Sequence, residues 1–313
     1  MLDVTGLSVT FNTRRGPVRA VNGVDLRVGP GEIVGIVGES GSGKSVTLRA
    51  ILRLLRRAQV TGRVGWDGQN VLTMPDAALR AVRGRQIAMI FQEPMTALNP
   101  VLTIGEQIEE ALPAAAGAGR AAALLDMVGI GSPKERLLNY PHEFSGGMRQ
   151  RAMIATALAG EPRLLLADEP TTALDVTIQD QILKLLMRLS DELGLAMMLV
   201  THDLGVVAET CQRVCVMYAG RIVEHAPVGA LFARPRHGYS HALLGAIPHG
   251  RPRQPLTSIP GQPPRLDRPI IGCPFAPRCA FTEARCVTTV PPMLEHGPGH
   301  TAACWAADRI SGP

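Results

Sequence analysis

The chain has 313 residues, 46% of them hydrophobic and 19% charged, with a formal net charge of +5, enough material for one sizeable core and an appendage. Its Lys and Arg are scattered rather than clustered, which reads as a solvated surface with some preference for anions and argues against nucleic acid as the main partner. No run of about 18 apolar residues occurs and the start, MLDVTGLSVTF, lacks the basic-then-apolar layout of a secretory signal, so a cytosolic protein is expected, its six cysteines thiols or metal ligands rather than disulfides.

Residues 1–28 alternate as strands do, first with Leu7, Val9 and Phe11, then with Val18, Ala20 and Val24. An apolar run at 32–37 leads into a glycine-rich loop. The spacing of Val46, Leu48, Ile51, Leu52 and Leu55 then predicts a helix from Lys44 to about Leu55. Further strands are predicted at Gln86–Phe91, Arg163–Ala167, Leu195–Thr201 and Arg213–Tyr218. Helical patterns fall at about 104–112, 119–128, 146–159, 176–193 and 203–210. This alternation predicts an α/β fold with a largely parallel central sheet, and the early strands an antiparallel β layer beside it. Composition changes near residue 248: thirteen of the 25 prolines and four of the six cysteines lie in the last 66 residues. The expected organisation is one domain over 1–247, with no internal repeat, and an extension over 248–313. The extension opens with an extended strap at Pro248–Pro269, because proline fixes φ and lacks an N–H.

Three motifs carry chemistry. Gly38-Glu39-Ser40-Gly41-Ser42-Gly43-Lys44-Ser45 follows a predicted strand and opens a predicted helix, the setting of a phosphate-binding P-loop. Glycines there let backbone N–H groups curl around phosphate oxygens, and the helix start adds partial positive charge. Lys44 is expected to reach the β- and γ-phosphates and Ser45 to ligate Mg²⁺, with Val46 next in the nucleotide-binding stretch. Leu164–Ala167 is an apolar strand ending in Asp168 and Glu169, placed to hold Mg²⁺ through water and to polarise an attacking water respectively. Between them, Ser145-Gly146-Gly147 starts a helix and forms a second anion cradle.

P-loop, Ser-Gly-Gly and Asp-Glu strand, in this order, resemble the ATPase subunit of ABC transporters. The resemblance covers residues 1 to about 247. The signature departs from the common LSGGQ form, with Phe144 for Leu and Met148 for Gln, but keeps the Ser-Gly-Gly core. The resemblance implies a P-loop NTPase fold with a helical signature subdomain at about 93–160. It makes Gln92 the Q-loop glutamine, Asp175 of Ala173-Leu174-Asp175 the D-loop acid, His202 the switch histidine and Phe11 the aromatic that stacks on adenine; Phe11 equally suits a strand core. It further implies a dimer in which each ATP is held by the P-loop of one subunit and the Ser-Gly-Gly of the other.

In the tail, Cys273, Cys279, Cys286 and Cys304 form a candidate four-thiolate metal site whose spacing does not choose the metal. GCPFAPRC, the Pro291-Pro292 pair, FSGGMRQR and the run Gln92–Pro100 resemble the oligopeptide/dipeptide group of these ATPases. That likeness implies a small irregular metal-cluster extension with a [4Fe–4S] cluster on the four cysteines, zinc being the alternative. Arg278 and Arg285 are expected to offset the cluster's charge, and Cys211 and Cys215 to be core residues. The implied partners are a second, non-identical ATPase, two membrane permeases and an extracytoplasmic binding protein, at the cytoplasmic face of the cell membrane. Nickel, glutathione or another small solute are alternative cargoes. A soluble, non-transport ABC ATPase is the remote alternative, since no second cassette or long charged coiled coil is present.

Overall fold

The computed structural model describes residues 1–172, 174–247 and 258–312. Ala173 of the D-loop segment and residues 248–257 of the strap lie outside the described residues. In chain order the strands are β1 (Leu2–Thr13), β2 (Gly16–Val28), β3 (Ile33–Val37), β4 (Ala58–Trp66), β5 (Gln69–Asn70), β6 (Ile87–Ile90), β7 (Leu164–Asp168), β8 (Ala196–Val200), β9 (Arg213–Tyr218), β10 (Arg221–Pro227), β11 (Leu294–Gly297) and β12 (His300–Ala302). The chain divides into two compact units. One takes Met1–Arg27, Ile33–Leu72 and the described residues from Thr201 onward; the other takes Val28–Glu32 and Thr73–Val200.

In the first unit an antiparallel layer runs in the order β2-β1-β4-β5. β1 buries Leu2, Val4, Leu7 and Val9. That set breaks strict alternation between Val4 and Leu7, and the ladder with β4 shifts register between Thr5 and Ser8. Gly6, at φ 59°, supplies the left-handed residue such a bulge requires. β3 pairs parallel with β9, β9 antiparallel with β10, and β10 antiparallel with β12 of the tail. The tail thus extends the β3-β9-β10 ladder. Phe275, 1% exposed, enters the same core as Val37, Val214, Val216, Tyr218 and Tyr239. Its ring lies 5.3 Å from both Tyr218 and Tyr239. Glu224, fully buried in β10, accepts hydrogen bonds from the backbone N–H groups of Arg236 and His237 and lies 2.7 Å from Nε2 of His300 in β12. A buried carboxylate is tolerated only when its oxygens are satisfied in this way.

In the second unit β6, β7 and β8 form a parallel ladder. All three are buried along their length, so they read as continuous apolar runs rather than as alternation. Helices Ile104–Ala111, Arg120–Met127 and Gly146–Leu158 fall on the predicted stretches. The first is started by a capping box between Thr103 and Glu106. The parallel ladder, the antiparallel layer and the helical region match the expected fold class. The helix after the P-loop is shorter than predicted, ending at Ile51 rather than Leu55. Arg53 takes φ 52° there and the chain turns toward β4, whose pairing with β1 outweighs the apolar periodicity of Leu52 and Leu55.

Candidate functional site

The phosphate loop leaves β3 at Val37, a strand buried throughout. Gly38 has φ 154° and Gly43 φ 106°. A Cβ on Gly38 would collide with the Met217 carbonyl, and one on Gly43 would stand 2.5 Å from the Ala20 carbonyl. Only glycine lets the backbone pass there. Lys44 opens the helix Lys44–Ile51 and is 5% exposed. Its Nζ donates to the carbonyls of Gly38, at 2.7 Å, and Glu39, at 3.1 Å. The ammonium is thus held over the loop's own backbone. Ser42 Oγ is buried with no hydrogen-bond partner, an open polar position inside the cradle. Ser45 and Val46, in the first helical turn, are half-buried. Phe11 lies half-buried in β1 opposite Ala58, which leaves part of its ring uncovered by the core.

In the second unit, β7 delivers Asp168, fully buried, to its C-terminal end. The next residue, Glu169, takes φ 47°, a left-handed conformation that costs a non-glycine residue free energy. Its N–H donates to Val200 O at 3.0 Å. Its Oε2 accepts from Thr172 Oγ1 at 2.8 Å and from Gln92 Nε2 at 3.3 Å. Gln92 and Glu169, 77 residues apart in sequence, are therefore brought together. Thr172 was not singled out from sequence. Its spacing of three from Glu169 on a turn was the available signal.

Ser145 is the N-cap of Gly146–Leu158, its side chain accepting from Met148 N at 3.3 Å. Ser145 and Gly146 are exposed, whereas Phe144 is 2% exposed. The departure at position 144 is thus one apolar core residue for another, away from the cradle. A Cβ on Gly147 would lie 2.9 Å from Ile178 Cγ2. Arg149, also missed from sequence, pins the approach to this turn by donating to the carbonyls of Pro141 and His142. Asp175 is the N-cap residue of Val176–Leu193. His202 is exposed, two residues beyond the end of β8.

The four tail cysteines line one cavity together with His237, Gly238 and Phe275. Among the described residues no group of three or more His, Cys, Asp or Glu is arranged to hold a metal ion. Cys279 Sγ accepts from Phe281 N at 3.3 Å. Backbone N–H groups of Phe275 face Cys273, and those of Ala306 and Gly238 face Cys304. Burial pushes the Cys273 thiol up to about 11 and raises Cys279 and Cys304. Burial also pushes His237 down to about 4. Its Nδ1 accepts from Tyr239 N, so the neutral ring carries its proton on Nε2, 3.9 Å from Cys273 Sγ. Arg285 stays near the cysteines but is engaged by Glu283 and the face of Trp305. Arg278 turns away, toward Glu39. Cys215 is buried and Cys211 half-buried, its thiol raised to about 11 by burial, both as core residues.

The ABC transporter family profile matches residues 21–172, and that of the oligopeptide/dipeptide transporter C-terminal region matches residues 223–286. A probable peptide ABC transporter ATP-binding protein of Sinorhizobium fredii is 54% identical, covering 99% of this chain and 96% of its own. The oligopeptide transport ATP-binding protein OppD of Mycobacterium tuberculosis is 48% identical over 100% of this chain and 53% of its own. Among solved structures, a dimeric ATP-binding cassette in a post-hydrolysis state bound to ADP and Pi superposes with TM-score 0.66 at 32% identity, covering 73% of this chain and 99% of that one.

Proposed function

We propose, from the premise that this chain belongs to the ABC transporter family of ATP-hydrolysing subunits, that it powers the import of di- or oligopeptides. Two findings support the peptide reading: the tail matches the oligopeptide/dipeptide C-terminal region, and the 54% identical relative is named for peptide transport. The observation that carries the ATPase chemistry is the loop of Gly38–Ser45, whose Gly38 and Gly43 admit no Cβ and whose Lys44 is held over it.

In this reading backbone N–H groups of the loop and Lys44 hold the phosphates of ATP, and Phe11 stacks on the adenine. Gly41 and Ser42 belong to the cradle, and Ser42 Oγ is the buried donor that lacks a partner in the free chain. Glu169 polarises the attacking water, oriented by Thr172 and Gln92. Ser45, Asp168 and Gln92 would hold Mg²⁺. Their oxygens are the hard donors this cation prefers, and Gln92 turns its amide nitrogen to Glu169, which leaves its oxygen for the metal. When bound, the cation neutralises phosphate charge. His202 contacts the γ-phosphate, Asp175 lies at the dimer interface, and the exposed Ser145 and Gly146 with the half-buried Gly147 serve the nucleotide of the partner subunit. ATP drives closure because it binds the closed dimer better than the open one. The partner is a similar, non-identical ATPase, and the pair works against two permeases at the cytoplasmic face of the membrane, supplied by an extracytoplasmic binding protein. No described helix is long and apolar enough to cross a membrane. Cells lacking this subunit are expected to lose uptake across a panel of di- and oligopeptides; undiminished uptake of the whole panel would refute the cargo.

In the same reading Cys273, Cys279, Cys286 and Cys304 would hold a [4Fe–4S] cluster. Their sulfurs share one cavity, and backbone N–H groups aim at three of them, the donors that thiolate ligands of a buried cluster require. The cluster would cross-link the tail. Protein purified without oxygen is expected to be brown, with iron near four per chain. Stoichiometric zinc without iron would overturn the assignment.

A further inference from the structure

Glu39 is the one acidic residue of the phosphate loop, and a carboxylate beside a triphosphate is electrostatically unfavourable. Arg278 of the tail meets it. Its NH1 donates to Glu39 Oε2 and its NH2 to Glu39 Oε1, both at 2.9 Å, the two-pronged geometry in which guanidinium binds carboxylate most strongly. The pair is shielded from water, with the Arg278 side chain 6% and the Glu39 side chain 22% exposed. The rest of the guanidinium is also fixed: Nε donates to Pro260 O at 2.7 Å and NH1 to Tyr218 Oη at 3.1 Å. It lies 5.7 Å from the ring centre of Phe275 and 5.8 Å from that of Tyr218. Glu39 is held at its backbone too, its N–H donating to Tyr239 Oη at 2.7 Å. Tyr239, Tyr218 and Phe275 are mutually packed. The loop is therefore braced from behind by a preformed aromatic and cationic wall. Arg278 closes the short turn Ala276–Arg278 between Cys273 and Cys279.

We propose that Arg278 is a positioning residue for the phosphate loop: it masks the charge of Glu39 and turns its carboxylate away, so that the loop accepts a nucleoside triphosphate. The proposal rests on the P-loop reading given above. Without Arg278, Glu39 presents an uncompensated negative charge to the incoming phosphates and the loop loses its brace. Affinity then falls, while the chemical step, which uses other groups, is less affected.

The test is a double-mutant cycle on the full-length chain, with R278M, E39Q and the double variant titrated with a fluorescent ATP analogue and Mg²⁺. Met keeps an apolar stem against Phe275 and Tyr218, so it preserves packing better than Ala; thermal melts and far-UV dichroism verify the fold. R278M is expected to weaken binding about 10-fold in the parent background. In the E39Q background, where no charge remains to mask, the same change is expected to cost about 2-fold or less. KM for ATP should rise more than kcat falls, and the R278M defect should shrink at high salt. A merely structural role would lower the melting temperature alike in both backgrounds without this coupling in affinity. Equal losses in the two backgrounds, or no loss in a folded R278M, would overturn the proposal while leaving the P-loop reading intact. Failure of the parent chain to bind the analogue would overturn both. Should R278M not fold, R278Q replaces it: it keeps a polar side chain but removes the charge, and a folded R278Q that binds as the parent does overturns the positioning role.

Discussion

Replacing Glu169 by Gln is expected to leave ATP binding in place and to slow its hydrolysis by at least about 100-fold, the lower range for loss of a positioned general base. The geometry makes this substitution a clean one. Gln is isosteric, and its amide oxygen can still accept the Thr172 hydroxyl that Oε2 accepts at 2.8 Å. The residue stays in its turn because the backbone bond from Glu169 N to Val200 O does not depend on the side chain. What is lost is the basic oxygen. Single-turnover hydrolysis measures the chemical step, and size-exclusion with Mg-ATP measures accumulation of the closed dimer. Hydrolysis at the parent rate would remove Glu169 as the base. Thr172→Val is expected to give a smaller loss, because it removes only the hydroxyl that orients the carboxylate.

The candidate site elements are visible in the sequence because each is local: glycines, a lysine and a helix start within eight residues, or two acids at the end of an apolar strand. The parallel strands β6, β7 and β8 were legible for a related reason, since strands buried on both faces are continuous apolar runs. β4 was not legible. Its exposed stretch around Gly62 and Arg63 carries no alternation, and its pairing with β1 is set by a partner about 50 residues away. The β11–β12 hairpin of the tail was opaque for the same reason: proline and glycine predict turns but not what the turns pack against. Arg278 shows the limit most sharply. Next to a candidate cysteine ligand it reads as a counter-charge for a cluster, whereas its carboxylate partner stands 239 residues earlier, inside the phosphate loop. The departure at Phe144, which looks from sequence like a change in the signature, is a core substitution that leaves Ser145, Gly146 and Gly147 exposed or half-exposed at the helix start.

Lys44→Ala is expected to weaken ATP binding by at least about 100-fold, within the range for removing one member of a buried, hydrogen-bonded charge pair. The size of the effect follows from burial. Lys44 is 5% exposed, so water cannot replace its ammonium at the phosphates. In the free chain the same Nζ satisfies the carbonyls of Gly38 and Glu39. The Ala variant therefore also loses loop order, and its defect mixes lost charge with a disturbed cradle. Lys44→Met separates these contributions. Its stem fills the space along the helix but carries no donor, so both variants leave the two carbonyls unpaired, at a cost to stability of about 1–3 kcal/mol, and only Ala adds a cavity. Equal losses of affinity in the two variants assign the effect to the ammonium; a much larger loss in Ala assigns it to packing. Titration with a fluorescent ATP analogue, with chemical denaturation in parallel, distinguishes them. Binding by Lys44→Met within about 3-fold of the parent, well below what a buried charge contributes, would mean that the loop does not hold the phosphates at all.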